Sequence, residues 1–164
     1  SHERLFFVEV MGHTAGYLAL NSAIATGSEA AIIPEMETEV DQLAELINHG
    51  FRKSKNSAIV IVAENPKTGG ATALAERVKK EFPQYDARVT ILGHIQRGGS
   101  PTVRDRVNAS LMGYHAVDLL DKGIYNRVVA LSGGKIVDYD VNVALSMHKY
   151  LDPMEIEVAQ AISI

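Results

Sequence analysis

The sequence lacks cysteine and tryptophan altogether, and aromatic residues make up only 6% of its 164 positions. Without cysteine the chain can form no disulfide bond, no thiolate metal site and no cysteine nucleophile, which suits a reducing cytoplasm. The first apolar stretch, Leu5 to Met11, is too short to span a membrane and contains Glu9. With no signal peptide in view, we expect a cytoplasmic globular protein without a membrane partner.

An excess of charge of one sign is also missing, because 16 basic and 20 acidic residues give a net charge of −4. This balance argues against a nucleic-acid partner, so basic side chains matter only where the fold gathers them. The six histidines show no paired ligand spacing such as H-E-x-x-H, and we expect no metal site in this chain. Neither a G-x-S-x-G nucleophile motif nor a G-x-x-x-x-G-K-[ST] phosphate loop occurs.

Apolar stretches that alternate with helical patterns indicate an α/β fold. Hydrophobic residues make up 46% of the chain, enough for one domain core or two small ones. Residues 57–63 are almost continuously apolar, as expected of a parallel strand covered on both faces. The alternation runs from residue 5 to residue 122 and predicts an open, mainly parallel, doubly wound sheet with helices on both faces.

The boundaries of the predicted elements follow from apolar periodicity and from capping residues. Strands are predicted at residues 5–10, 30–33, 57–63, 87–92 and 127–131. Helices are predicted at residues 14–26, 38–51, 71–82, 103–122, 141–150 and 153–162. Thr38 and Asp41 resemble a capping box, Pro101 and Thr102 precede the long helix, and Ser132-Gly133-Gly134 predicts a hairpin turn.

The most informative segment is Gly93 to Pro101, G-H-I-Q-R-G-G-S-P, which follows a predicted strand. Ligands of open α/β sheets bind at the carboxyl ends of the strands, and this loop places His94 and Arg97 there between glycines. A cationic pair beside free backbone N–H groups is typical of an anion site. The alternative is a tight strand-to-helix turn with an exposed arginine.

Other polar residues follow the predicted strands: Met11-Gly12-His13 after the first, Glu35 after the second and Glu64 after the third. A carboxylate such as Glu64 can accept hydrogen bonds from sugar hydroxyls while the cations bind a phosphate, so a sugar phosphate fits both. The alternative for Glu64 is a solvated surface carboxylate. Arg4 and Arg88 flank their strands at the opposite end, where only a ligand shared with a neighbouring subunit would meet them.

Three segments in this order resemble 6-phosphofructokinases of the bacterial type: Glu9-Val-Met-Gly-His-Thr-Ala-Gly16, the strand that ends in Glu64, and the Gly93–Pro101 segment with Asp105-Arg106 after it. The resemblance covers the whole chain and corresponds to the carboxyl-terminal half of a subunit. It implies that an amino-terminal half with the glycine-rich nucleotide site and the catalytic aspartate is absent here. We therefore expect this chain alone to be inactive.

The resemblance implies a set of contacts with fructose 6-phosphate. Residues of this chain would bind through Met11, Gly12, His13, Glu64, His94, Ile95, Gln96 and Arg97. Arg4 and Arg88 would reach the phosphates across a subunit interface, with Arg4 stabilising charge on the transferred group. His13 stands where the family usually has arginine, so a titratable side chain replaces a permanent charge.

The resemblance also implies an allosteric site for a nucleotide or phosphoenolpyruvate between subunits. Its residues here would be Gly27, Ser28, Glu29, Lys53 and Lys55. A solvated basic helix end is an equally good explanation for the two lysines. The intact enzyme would be an allosteric homotetramer.

Two interleaved lobes are implied as well. Residues 1–97 and 146–164 would form the sugar-phosphate-binding lobe, while residues 98–145 would complete the nucleotide lobe of the absent half. In isolation, the apolar helix face of Val103, Val107, Leu111 and Tyr114 should then be exposed or buried by self-association.

The activity that the resemblance implies is transfer of the γ-phosphoryl group of ATP to the 1-hydroxyl of fructose 6-phosphate, assisted by Mg²⁺. The ATP and Mg²⁺ sites are expected mainly in the absent half. Two alternatives remain open: a pyrophosphate-dependent phosphofructokinase, and a noncatalytic sugar-phosphate sensor or regulatory subunit.

Overall fold

The computed structural model describes residues 3–36, 43, 45, 57–65 and 67–162. The chain folds into two compact units, one formed by residues 1–98 with 151–164 and the other by residues 99–150. The sequence analysis placed the boundaries between the two lobes after residue 97 and after residue 145. The chain thus leaves the first unit shortly after its last strand and returns to it for its last helix.

The first unit is built on a four-stranded parallel sheet. Its strands are β1 (Glu3–Val10), β2 (Ala30–Ile32), β3 (Ser57–Ala63) and β4 (Tyr85–Ile91), in the order β2-β3-β1-β4. All three strand pairs are parallel. The predicted α/β class and the parallel sheet are therefore confirmed.

The helices of both units lie close to their predicted positions. They are α1 (Tyr17–Thr26), α2 (Gly70–Glu81), α3 (Val103–Asp121), α4 (Val141–Ser146) and α5 (Pro153–Ile162), with a 3₁₀ turn at Gly93–Arg97. In the part of the chain that the structure describes, no helix is long and apolar enough to cross a membrane.

Helices cover both faces of the sheet, and the alternation of side chains along β1 sorts residues between two cores. Leu5 and Phe7 enter one face, and Val8 and Val10 enter the other. The first core combines strand residues with α2 and with Leu43: Leu5, Phe7, Leu43, Val60, Val62, Ala75 and Val78. The second combines them with α1 and α5: Val10, Leu20, Ala23, Ile61, Ala63, Leu151 and Ile156. This two-sided burial explains why β3 is apolar along nearly its whole length.

Helix α1 begins at Tyr17, three residues later than the predicted Thr14. Residues before it form a turn in which the N–H of Ala15 donates to the carbonyl of Gly12, 2.9 Å away. The N–H of Gly16 then donates to Glu35 Oε1 at 2.8 Å. Because these donors are satisfied by a tight turn and by a distant carboxylate, the helix starts after them.

Helix α4 ends at Ser146 rather than at the predicted Tyr150. Asp140 caps its start by accepting from the N–H of Asn142, but Met147 has an extended backbone. Short helices depend on packing, and Tyr150 is 83% exposed. Apart from residues 43 and 45, the helix predicted at residues 38–51 lies outside the described residues, and so does its proposed capping box of Thr38 and Asp41.

The second unit packs α3 and α4 with an antiparallel hairpin of β5 (Arg127–Ser132) and β6 (Lys135–Asp140). Gly133 and Gly134 form its two-residue turn with φ of 55° and 76°, which confirms the predicted hairpin. Thr102 caps α3 and forms a reciprocal capping box with Asp105. The predicted start of the long helix is also confirmed.

Asp138 of β6 ties the hairpin to α3. Its Oδ2 lies 2.8 Å from Nε2 of His115, and its Oδ1 accepts from Nε of Arg127 at 2.7 Å. These hydrogen bonds from His115 and Arg127 hold the pKa of the Asp138 carboxyl below its usual range. The ionised carboxylate therefore stabilises the second unit.

One face of α3 is apolar and exposed. Val103 and Tyr114 are 79% and 78% exposed, and Val107 and Leu111 are 50% and 51% exposed. These four residues recur at helical spacing, so their side chains form one stripe. An apolar stripe of this length is uncommon on a soluble monomer and indicates a contact surface.

Replacing Asp138 by Asn should lower the melting temperature at pH 7, because Arg127 and His115 lose a charged partner. The pKa of Asp138 in the folded protein lies below the unfolded value of about 3.9. The stabilisation is therefore present above about pH 4 and is lost as the pH falls through the folded pKa. Circular dichroism melts between pH 7 and pH 3 should show that the difference in melting temperature between wild type and Asp138→Asn decreases as the pH falls.

Asp121→Asn provides the matched control, since Asp121 is an exposed carboxylate at the end of α3. This variant should melt no lower than the wild type at pH 7. If the melting temperature of Asp138→Asn stays below that of the wild type by the same amount from pH 7 to pH 3, the charge of Asp138 does not contribute to stability.

The chain on its own should self-associate through the exposed stripe of α3. Light scattering is expected to show species larger than a monomer at high concentration, and Leu111→Glu should shift them toward the monomer, since a charge in the stripe opposes its burial. Ala109→Glu, which adds the same charge to an exposed position outside the stripe, should leave the distribution unchanged. A clean wild-type monomer at high concentration would contradict this prediction.

Candidate functional site

The carboxyl ends of β1, β3 and β4 meet at one edge of the sheet, because the three strands are parallel neighbours with β1 in the centre. Val10 pairs with Ala63 and Glu9 pairs with Ile91 at this edge. The chain leaves β1 for α1 on one face and leaves β3 for α2 on the other. Adjacent strands whose connections diverge in this way open a crevice, which is where ligands of doubly wound sheets bind.

The structure brings most of the predicted substrate contacts to this edge. Met11, Gly12 and His13 follow β1 directly, and Glu64 follows β3. The N–H of Glu64 donates to the carbonyl of Val10 at 2.7 Å, so the ladder continues one residue beyond the strands. Continuing the register sets Met11 opposite Glu64, about one strand spacing, roughly 4.8 Å, away.

The segment after β4 forms a 3₁₀ turn over Gly93–Arg97 rather than an open glycine loop. The turn begins with Gly93 at φ 54°, a conformation that favours glycine, and is closed by the N–H of Gly98 donating to the carbonyl of Ile95. In a 3₁₀ helix residues three apart lie on the same side, so His94 and Arg97 project together. Both are exposed, and Ile95 is 73% exposed.

Gln96 holds the turn against the end of β1. Its Oε1 accepts a hydrogen bond from the N–H of Met11 at 2.8 Å across 85 residues of sequence. The amide oxygen is thereby engaged within the chain, although Gln96 was predicted as a substrate contact. The bond fixes the cationic turn beside Met11 and Gly12.

The backbone after β1 is tightly folded. A Cβ at Gly12 would clash with the carbonyl oxygen of Ala15, so glycine is required there. His13 adopts a left-handed conformation at φ 54° and is exposed. This strained position carries the histidine out to solvent at the site edge.

Two carboxylates at the edge were not among the predicted substrate contacts, although Glu35 was expected after the second strand. Glu9 Oε2 accepts from the N–H of Ala71 at 2.7 Å, and Glu35 Oε1 accepts from the N–H of Gly16 at 2.8 Å. The available signal for Glu9 was an acidic residue inside an otherwise apolar strand. Such a residue needs a hydrogen-bond donor nearby, but the sequence does not tell which one.

Arg4 and Arg88 are not brought to this site. Arg4 pairs with Ser57 at the opposite end of the sheet, seven residues and roughly 23 Å before Met11 along β1. Arg88 was expected at the start of its strand but lies in the middle of β4, opposite Phe6. It forms an ion pair with Asp86, with Nη2 3.0 Å from Oδ2. Both arginines are exposed, so a second molecule can reach them.

The residues expected to bind an effector lie at the end of α1 and the start of β2. Gly27 ends α1 at φ 61°, and Ser28 and Glu29 are buried. Glu29 Oε2 accepts from the N–H of Ile59 at 2.6 Å, and the N–H of Glu29 donates to the carbonyl of Ile59. Glu29 thus holds β2 against β3. Lys53 and Lys55 lie outside the described residues.

A cleft of about 460 Å³ opens beside the site, at the carboxyl ends of β2 and β3. Its polar lining includes Asn65, Lys67, Thr68 and Arg77, and its lining does not include Glu64, His94 or Arg97. Glu64, His94 and Arg97 are exposed on the surface of this edge.

Among residues 3–36, 43, 45, 57–65 and 67–162, no three histidine, aspartate or glutamate side chains converge on one point.

Comparison with known proteins gives the family. The family model described as Phosphofructokinase matches residues 1–120. A protein named ATP-dependent 6-phosphofructokinase 2, from Bacteroides thetaiotaomicron, is 57% identical over 164 residues, 100% of this chain and 50% of that protein. A protein named ATP-dependent 6-phosphofructokinase, from Thermoanaerobacter sp., is 44% identical over 164 residues, again 100% of this chain and 50% of that protein.

Solved structures agree with this result. Pichia pastoris phosphofructokinase in the T-state superimposes with a TM-score of 0.77 at 29% identity, over 99% of this chain and 19% of that one. A pyrophosphate-dependent phosphofructokinase from Marinobacter aquaeolei gives a TM-score of 0.75 over 93% of this chain and 43% of that one. At 19% identity the latter shares the fold only.

The chain spans about half the length of the curated relatives it matches. The family model covers residues 1–120, and the relatives match the chain from end to end. This chain therefore belongs to the phosphofructokinase family.

Proposed function

We propose that this chain is the sugar-phosphate-binding half of an ATP-dependent 6-phosphofructokinase. The intact enzyme transfers the γ-phosphoryl group of ATP to the 1-hydroxyl of fructose 6-phosphate. The observation that carries the proposal is the convergence of the loops after β1, β3 and β4, which bear Gly12, Glu64 and Arg97, at one edge of the sheet. Relatives named ATP-dependent at 57% and 44% identity favour ATP as the donor.

In this proposal the substrate's phosphate binds the 3₁₀ turn. Arg97 supplies a permanent positive charge and His94 a second donor, each in a charge-assisted hydrogen bond worth about 1.5–3 kcal/mol. The side-chain spacing supports this, since both residues project from the same side of the turn. Glu64 accepts hydrogen bonds from sugar hydroxyls, and the backbone at Met11 and Gly12 forms the floor.

Arg4 and Arg88 serve a second copy of the chain. Arg4 lies at the opposite end of the sheet from Glu64, and Arg88 lies in the middle of β4, opposite Phe6. Both are exposed, which allows contact across an interface. There they neutralise phosphate charge, and Arg4 stabilises charge that develops on the transferred group. The functional assembly is a homo-oligomer, for which we propose a tetramer.

The donor site belongs to the other half of the subunit. We expect Mg²⁺ and ATP to be held there, where the ion would neutralise donor phosphates. Residues 99–150 would pack into that half through the exposed stripe of α3. Gly27, Ser28 and Glu29, with Lys53 and Lys55, would contribute to an effector site between subunits.

The proposed function is tested with a full-length subunit that carries this sequence. Purified enzyme should convert fructose 6-phosphate to the 1,6-bisphosphate with ATP, with at least tenfold lower kcat/KM when pyrophosphate replaces ATP. Coupled detection of ADP and of phosphate distinguishes the two donors. Equal or greater turnover with pyrophosphate would reverse the choice of donor, and binding of fructose 6-phosphate without turnover of either donor would identify a sensor.

Arg97→Ala in the same enzyme should raise KM for fructose 6-phosphate about tenfold or more, because one charge-assisted phosphate bond is lost. Lys80→Ala, which removes one positive charge from an exposed position on α2, is the matched control and should leave KM unchanged. Initial rates at saturating ATP give both values. Unchanged kinetics for Arg97→Ala would refute its role as a phosphate ligand.

A further inference from the structure

Glu9 is an acidic residue near the end of the central strand β1. Its carboxylate lies on the α2 side of the sheet, where Oε2 accepts a hydrogen bond from the N–H of Ala71 at 2.7 Å. The two residues are 62 positions apart in sequence. A side chain from the central strand β1 therefore caps the start of α2, the helix that connects β3 to β4.

The start of α2 requires such an external cap. Its N-cap is Gly69, which has no side chain to accept a hydrogen bond, and its first turn contains no acidic residue. Gly69 and Gly70 are both left-handed, at φ 78° and 62°, and a Cβ at Gly70 would overlap the Glu9 carboxylate. The two glycines thus bring the free N–H groups of α2 onto Glu9, where a negative charge also favours the helix dipole.

Glu9 and Val10 form backbone hydrogen bonds with the connections after β4 and β3. The carbonyl of Glu9 accepts from the N–H of Leu92, just before the cationic turn, and that of its neighbour Val10 accepts from the N–H of Glu64. The side chain of Glu9 fixes the far end of the segment that begins at Glu64. Glu64 and Ala71 are thereby both hydrogen-bonded to β1.

We propose that Glu9 is a positioning residue of the sugar-phosphate site. By anchoring the start of α2, it holds Glu64 at the distance from Met11 and Gly12 that the sugar requires. This inference rests on the proposed function of the site. Glu9 does not itself touch substrate, because its carboxylate is engaged by the backbone of α2.

The test compares Glu9→Ala with Glu9→Gln in the full-length active enzyme. Glu9→Ala should raise KM for fructose 6-phosphate about tenfold while kcat changes less than about twofold, since ground-state binding is what a misplaced Glu64 loses. Glu9→Gln keeps an oxygen that can accept from Ala71, so KM should return to within about threefold of the wild type. The KM for ATP should not change in either variant.

Glu76→Gln is the matched control, because Glu76 is an exposed carboxylate on α2 that pairs with Lys79. It should leave every kinetic constant unchanged. If Glu9→Ala does not melt cooperatively, Glu9→Asp replaces it, because its carboxylate is one methylene too short to cap α2 in place. The same rise in KM is expected.

Wild-type KM in a folded Glu9→Ala enzyme with a lowered melting temperature would overturn the inference, since Glu9 would then be structural only. Equal losses in Glu9→Gln and Glu9→Ala would also overturn it, because the hydrogen bond would not be the cause. A wild-type enzyme with no turnover of fructose 6-phosphate would instead overturn the proposed function and this inference with it.

Discussion

The parallel pairing of β1 with β3 and β4 is the constraint on which the rest of the structure depends. Every residue proposed to meet the sugar bound to its own chain follows one of these strands, so its position depends on strand register. The register is secured by two-sided burial, because a slip of one residue would carry Phe7 and Val10 to the wrong cores. The core beneath the site therefore fixes where the three connections begin.

Polar side chains fix the connections that follow the strands. Gln96, Glu9 and Glu35 each accept a hydrogen bond from a backbone N–H of a neighbouring connection. An unpaired backbone donor at such a site would cost about 1–3 kcal/mol, so these bonds hold the connections in single conformations. Glu64 and Arg97 lie in the connections that these bonds hold, and both are exposed, so they can meet a ligand.

Local and periodic features of the fold could be predicted from the sequence, whereas contacts between distant residues could not. The strand at Ser57–Ala63 and the hairpin at Gly133-Gly134 follow from patterns within a few residues, and both predictions are confirmed. The start of α1 was placed too early because the N–H of Gly16 is taken by Glu35, 19 residues away. The 3₁₀ turn was missed because the bond that holds it joins Gln96 to Met11.

In the proposed function, the charge of the substrate favours a site that one chain provides only in part. A phosphate monoester carries about −1.5 to −2 at neutral pH, while Arg97 is the one permanent cation on the 3₁₀ turn. A second copy that contributes Arg4 and Arg88 would supply two further permanent charges. Arg88 would then exchange its partner Asp86 for the phosphate, so binding of the sugar would be coupled to the interface between copies.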